Sequence, residues 1–325
     1  MDKRVLYNLL RLNYKEDSTL EIESWQVEDL RTNSDGELFE KLKQNKICLD
    51  KPTFNLYIEN ATSPEDLTYL LTEDIPEVHK QDQVYLLIFE LWRRFAKDKP
   101  SISIFCDELD RKIEEYDLGD MQSYLIADIL FALEQLLEEN LTDDVDPRIL
   151  FQSIVEKCAN DVESFLYDFI SDQLDQSQTS FAKELIEGFE KYCLRPKWFL
   201  LLKLRLSIQE ETTLVDFMMQ ELMEYLQENE LEFSFEVLDF ILQTDQMEFF
   251  FPLIKQMLLI CEKEADFQDI LVELLQFLVD FDYQKQAKGV QKLLEKRKHI
   301  TLHQKLERDD PDLKQALEII QSASI

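Results

Sequence analysis

The sequence predicts an all-α protein, and three observations predict it. Apolar residues recur at three- and four-residue spacing along most of the chain, as they do on one face of a helix. Glycine (4) and proline (8) are too sparse in 325 residues for the tight turns of a β-rich fold or the phosphate loops of a nucleotide-binding α/β fold. The densest apolar stretch, Ser234–Phe281, reads as three short helices with polar joints and no strand pattern between them.

In that stretch Ser234 is placed to cap a helix bearing Phe235, Leu238, Ile241 and Leu242. Asp245 opens a second with Phe249, Pro252, Leu253, Met257 and Ile260, and Asp266 a third with Ile270, Leu271, Leu274, Leu275, Leu278 and Phe281. Each stripe is too wide to be satisfied alone, so each helix must stack on its neighbours.

Taken from the start, residues 1–14 form an amphipathic helix with Val5, Leu6, Leu9 and Leu10 to one side. Ser24 heads a short helix over 25–31, Asp35-Gly36 one over 37–44, and Asp50 with Pro52 one over 53–61. Ser63-Pro64-Glu65-Asp66 is a strong start signal: a capping hydroxyl, proline in the first turn and an acid three residues on. The helix after Pro76 carries Val84, Leu87, Ile88, Leu91, Trp92 and Phe95 and ends at Lys99-Pro100. Ser101 restarts the chain over 102–116, Leu118-Gly119 stops it, and Asp120 caps a helix over 121–139. Further helices are expected over 148–157, 161–174, 181–194, 197–208, 212–227, 283–297 and 312–321.

These elements number about sixteen, at roughly twenty residues per helix and loop, so pairs repeat at about forty residues, the range of HEAT-type arrays. The expected architecture is an irregular right-handed array of antiparallel helix pairs, an α-solenoid of HEAT or TPR type, although no repeated consensus runs through it. The acidic joint Asn140–Pro147 divides residues 1–142, an N-terminal helical region, from 143–325, a C-terminal helical array; one continuous domain shows the same loop.

Composition narrows the function classes. Thirty-five basic residues against 68 acidic give a net charge of −33, a field that repels nucleic acid and anionic lipid and attracts basic partners, besides keeping a chain with 22 phenylalanines soluble. The five cysteines are widely spaced with no CxxC, and most sit in apolar helical runs, which reads as buried thiols in a reducing, cytoplasmic compartment. The N-terminal apolar run is too short for a signal peptide, and the longest apolar windows fall short of a membrane span.

Catalytic signatures are scarce. His299 and His303 stand four apart, with Glu295 and Glu307 on the same face if a helix continues, a spacing that could hold a zinc or nickel ion; without the Glu of HExxH or a Cys beside it, a solvated helix end is the plainer reading. Asn33–Gly36 has the middle of a calcium loop, but Arg31 and Leu42 occupy its first and twelfth positions. No histidine completes a Glu-x-x-His pair, and neither GxxxxGK[ST] nor GxGxxG occurs.

Within residues 160–168, Asn160, Ser164 and Asp168 fall on one helical face. The segment resembles the second magnesium motif of class I terpene synthases, which are all-helical and of similar size. That resemblance implies Mg²⁺ held by Asn160, Ser164 and Asp168 and a diphosphate substrate. It departs from the family at Asp168, where glutamate is preferred, and in the upstream acids Glu73, Asp74 and Glu77, which Pro76 interrupts. It covers two short windows, and Asn160 also reads as a simple helix cap.

Two basic islands run against the overall charge. Lys191–Arg205 holds Lys191, Arg195, Lys197, Lys203 and Arg205 and no acid; residues 285–308 hold eight basic residues against Glu295 and Glu307. Docking onto acidic neighbours within the stack explains such islands first, and an acidic or phosphate-bearing partner second. Arg195, Lys197, Trp198, Phe199, Lys296, Arg297 and Lys298 are the candidate partner-binding residues, since Trp and Arg commonly anchor interfaces. The expected function is a non-catalytic scaffold, adaptor or chaperone-like protein without a cofactor, binding a basic or amphipathic segment of another protein on an acidic helical surface. The alternative is the Mg-dependent enzyme.

Overall fold

The computed structural model describes residues 3–99, 101–119, 123–212, 214–226, 230–244 and 246–323. Pro100, Asp120 and Asp245, read above as a helix stop and two caps, lie outside them. Among the described residues the protein is all-α, with seventeen α-helices and no β-sheet. No helix of the described residues is long and apolar enough to cross a membrane.

The helix starts follow side-chain chemistry. Ser34, Asp50, Ser63 and Ser101 each accept a hydrogen bond from the backbone N–H three residues on, and Asp146 from Arg148 N. They begin α2 (Asp35–Gln44), α3 (Lys51–Asn60), α4 (Pro64–Thr72), α6 (Ile102–Asp117) and α8 (Pro147–Val155). Residues 25–31, expected to form a short helix headed by Ser24, instead fall across two 3-10 turns, Ser24–Gln26 and Leu30–Thr32. Ser234 lies inside a helix, its hydroxyl donating to Glu230 O at 2.9 Å, so the turn that leads in starts before it.

The chain divides into two compact units, residues 1–169 with 187–194, and residues 170–186 with 195–325. The Asn140–Pro147 joint, taken as the division between residues 1–142 and 143–325, lies inside the first unit.

In the first unit α5 (Val78–Phe95) is the central helix. Its residues Val84–Trp92 are all buried, beneath α2, α3 and α4 on one side. The helix stops at Phe95 rather than at Lys99; Lys99 instead turns back, and its ammonium meets the carbonyls of Ile58, Glu59 and Ala61 at 2.7–3.3 Å, where α3 ends. Leu118-Gly119 closes α6 as expected: Gly119 has φ +75°, which a residue without Cβ adopts readily, and donates to Tyr116 O.

Polar contacts fix where α1 (Lys3–Glu16) sits. Asn8 Nδ2 donates to Asp107 at 3.0 Å and to Asp110 at 3.2 Å, one turn apart on α6. Arg4 and Arg31 pair with Asp107 at 2.6 and 2.7 Å. Asp110 accepts from the backbone N–H groups of Ala159 and Asn160, so α6 also holds the loop after α8. Burial drives both carboxyls upward. Arg4 and Arg31 more than reverse this at Asp107, bringing it from 3.8 to about 2, whereas Asp110, with hydrogen bonds but no cation, stays raised.

In the second unit α11 (Pro196–Gln209), α12 (Val215–Tyr225), α13 (Leu231–Gln243), α14 (Phe250–Ile260), α15 (Glu264–Asp280), α16 (Gln284–Arg297) and α17 (Pro311–Ala323) pack largely in chain order. The exceptions are α13, which packs on α11, and α17, which also returns to α14. Two devices hold α17. Between α16 and α17, residues 302–306 hydrogen-bond to Glu262–Ala265 at the head of α15. Below this, Arg297 is only 4% exposed: it donates to Glu264 through Nε (2.9 Å) and Nη2, and through Nη1 to Asp310 (3.0 Å) and Asp312 (2.9 Å). Its guanidinium also lies 4.9 Å from the Phe267 ring centre. Arg297, expected as a partner-binding residue, is thus committed inside the fold because three carboxylates converge on it.

Two outcomes follow from these nodes. Replacing Arg297 with Ala leaves Glu264 buried without its cation and is expected to cost about 3–5 kcal/mol in urea unfolding, while the apolar pair Arg297→Met with Glu264→Met costs far less. For Asp107 the folded value lies below the unfolded one, so its contribution is full above pH ~4 and lost as pH falls towards ~2; across that window wild type should lose about 2 kcal/mol that Asp107→Asn does not lose, read from paired melts.

Candidate functional site

An open groove of about 1190 Å³ lies in the second unit, walled by α14, by the end of α15 with its following turn, and by α17. It arises from one helix being apolar on two faces. Leu253, Ile254, Met257 and Leu258 of α14 are buried in the unit's core. Phe251, Lys255, Gln256 and Leu259 follow each other at helical spacing along the opposite face and line the groove, with Leu259 51% exposed.

Its floor is aromatic. Phe277 stacks on Phe250 at 3.6 Å between ring centres, and Phe281 stacks on Phe277 at 4.4 Å. Phe251 meets Phe277 edge-on at 5.4 Å and Tyr283 at 6.0 Å. The turn after α15 sets the last of these: Asp282 takes φ +62°, and Tyr283 N donates back to Leu278 O at 2.8 Å, which swings the Tyr283 ring to the groove. Phe281 is 49% exposed although it is stacked. Leu317, Ile320 and Ala323 of α17 form the facing wall.

The lip is sparsely charged. Glu248 and Lys255, two turns apart, are the ionisable side chains that line the groove, apart from the Tyr283 hydroxyl. Asp280 and Asp282, both exposed, flank Phe281 in sequence and accept from Gln276 and Gln284. Among the described residues no histidine or cysteine lines the groove. Such a surface binds by burying apolar area and by charge at its edge; it places no nucleophile beside a base.

The residues expected to bind partners are differently placed. Lys197 is buried, paired with Glu230 and 5.3 Å from the Phe233 ring, and Phe199 is buried in the helix stack. Trp198 is half-buried, its ring 5.0 Å from Phe233, and Arg195 is half-buried beside it. Lys296 and Lys298 are exposed and pair with Asp312 (2.6 Å) and Glu295 (3.0 Å). Lys191 and Arg205 likewise pair with Glu138 and Asp175. Much of the charge in the basic islands is therefore spent on acids of the same unit.

The magnesium motif also takes local partners. Asn160 Nδ2 donates to Asp110 Oδ1 at 3.0 Å, tying the loop to α6, and Ser164 donates to Asp161 Oδ2 at 2.8 Å. Asp161, not Asn160, caps α9 (Val162–Asp175) through Ser164 N, and Asp168 is exposed on that helix. Among the described residues no group of three or more His, Cys, Asp or Glu side chains is disposed to hold a metal ion. His299 and His303 lie beyond the end of α16, outside any helix, so their spacing confers no common face.

Sequence reasoning missed the groove because Phe251, Phe277 and Phe281 look like any other core aromatic. One signal was present: the run Phe249–Ile260 is apolar on more of its circumference than a single neighbour can cover. Searches of family models, curated proteins and solved structures found no match to this chain.

Proposed function

We propose that the protein is a non-catalytic interaction protein, an adaptor or chaperone-like binder in which helices stacked in the manner of an α-solenoid present a groove to an amphipathic, basic segment of another protein. The observation that carries this reading is the aromatic groove itself: Phe251, Phe281, Tyr283 and Leu259 reach an open concavity that no other described side chain fills. An exposed apolar patch of this kind, rimmed by polar residues, is a common mark of a protein-binding surface. The largely sequential packing of the second unit supports the array part of the reading, since stacked helices of this type characteristically bind along their concave side. The charge of −33 supports the choice of a basic segment, and Asn160 and Ser164 of the magnesium-dependent alternative are engaged by Asp110 and Asp161.

The electrostatic part has a direct check. Captured partners are expected to release as salt is raised from about 0.1 M to about 1 M, where the screening length falls from ~10 Å to ~3 Å. Capture that is indifferent to salt over that range contradicts the reading.

A further inference from the structure

We propose that the groove formed by α14, α15 and α17 is the seat of one basic amphipathic helix of about three to four turns, supplied by another protein. This rests on the interaction-protein reading and names its site and the shape of its ligand.

Three features of the groove select that occupant. The first is length. The lining face of α14 runs from Phe251 to Leu259 and is extended by Met247 and Glu248 in the preceding turn. At ~1.5 Å per residue this wall is roughly 18 Å long, about the length of a three-turn helix. The second is volume: 1190 Å³ exceeds the roughly 300–1,000 Å³ of small-molecule pockets, so a polymer segment fits it better than a metabolite. The third is the lining, a continuous apolar floor with a polar lip, which matches a ligand carrying anchors at i, i+3, i+4 and i+7 on one face and charge on the other.

Charge chooses the sign of that polar face. Residues 210–325, which include every wall of the groove, hold 25 acidic side chains against eleven basic ones, so the surroundings stay net negative with the basic run at 285–308 counted. A helix whose outward face is rich in lysine and arginine enters an attractive field, whereas one faced with glutamate is repelled. The same field opposes a second copy of this chain as the occupant, because each copy carries −33. Among the described residues Lys255 is the cation that lines the lip, and it works against the basic ligand.

The test uses the full chain and two fluorescent synthetic peptides of about eighteen residues with one Leu/Phe stripe, one faced with lysine and the other with glutamate. Anisotropy titration should show the lysine peptide binding at least tenfold more tightly than the glutamate peptide. Leu259→Glu and Phe281→Glu each place a carboxylate in the apolar floor and should weaken the lysine peptide at least tenfold, even though they make the field more attractive. Val272→Glu, at an exposed α15 position outside the groove, adds the same charge and should leave binding unchanged or slightly tighter. Lys255→Glu should tighten it. Thermal melts identify any variant that fails to fold, and a folded Leu259→Glu suffices.

Equal binding of the two peptides, binding by neither, or full binding to folded Leu259→Glu overturns the proposal. So does displacement of the peptide by a long-chain fatty acid at lower concentration, or concentration-dependent dimerisation that Leu259→Glu abolishes, since these identify a lipid or a second copy as the occupant. Salt-sensitive capture that persists in Leu259→Glu overturns the groove alone and leaves the interaction-protein reading standing; failure of all salt-sensitive capture removes both.

Discussion

Of the two devices that hold α17, the buried one is a single cation. Arg297 reaches one carboxylate at the head of α15 and two at the head of α17, and so joins all three. A buried guanidinium is tolerated only when its donors are satisfied, so Glu264, Asp310 and Asp312 must converge, and the start of α17 is fixed relative to α15. Gly289 then lets α17 approach α16 closely, because a Cβ there would come within 2.9 Å of the Ile319 side chain. From that anchored start α17 runs back along α14. The groove is the space left between α14 and α17 above the aromatic floor, so its width follows from where Arg297 holds the chain.

The first unit uses the same kind of constraint. Its apolar stripes resemble one another, and a helix with leucines at helical spacing could pack on several neighbours at similar free energy. Buried polar groups discriminate where apolar ones cannot, because an unmatched one carries a desolvation cost of about 1–3 kcal/mol or more. Asn8 bridging Asp107 and Asp110 sets α1 on α6, and Asp110 receiving two backbone N–H groups sets the following loop. The two acids respond in opposite senses to the same burial: one has two guanidiniums and the other has none. That contrast makes Asp107 a stabilising charge at neutral pH and leaves Asp110 dependent on its hydrogen bonds.

What could be read in the sequence was local. Ser34, Asp50, Ser63, Ser101 and Asp146 stand at helix starts whose chemistry is complete within four residues, and Gly119 stops α6 as a glycine in the left-handed region does. Failures came where a distant group decided. Lys99 looked like the tail of α5 but serves the end of α3, about forty residues earlier in the chain. Arg297 and Lys197 looked like surface cations because nothing nearby in sequence announces that Glu264 or Glu230 will face them. The candidate site was the least legible part. Its walls come from residues 247–259, 277–283 and 317–323, and only the return of α17 across the intervening helices brings them together.

An open aromatic groove is ordinarily a hazard, since two copies can bury their exposed Phe281 and Leu259 against each other. In this chain the hazard is opposed by charge. The attraction available from one groove is local and falls away once apolar atoms part, whereas the repulsion between two molecules of charge −33 acts out to about a screening length, ~8 Å at physiological salt. Repulsion therefore meets an approaching copy before contact begins. For the basic helix proposed as ligand the same field is attractive and would raise the encounter rate, while the aromatic floor would govern how long that helix stays. Under that proposal acidity and the groove are parts of one arrangement: the first would select which molecules reach the floor, and the second would retain those with an apolar stripe to match it.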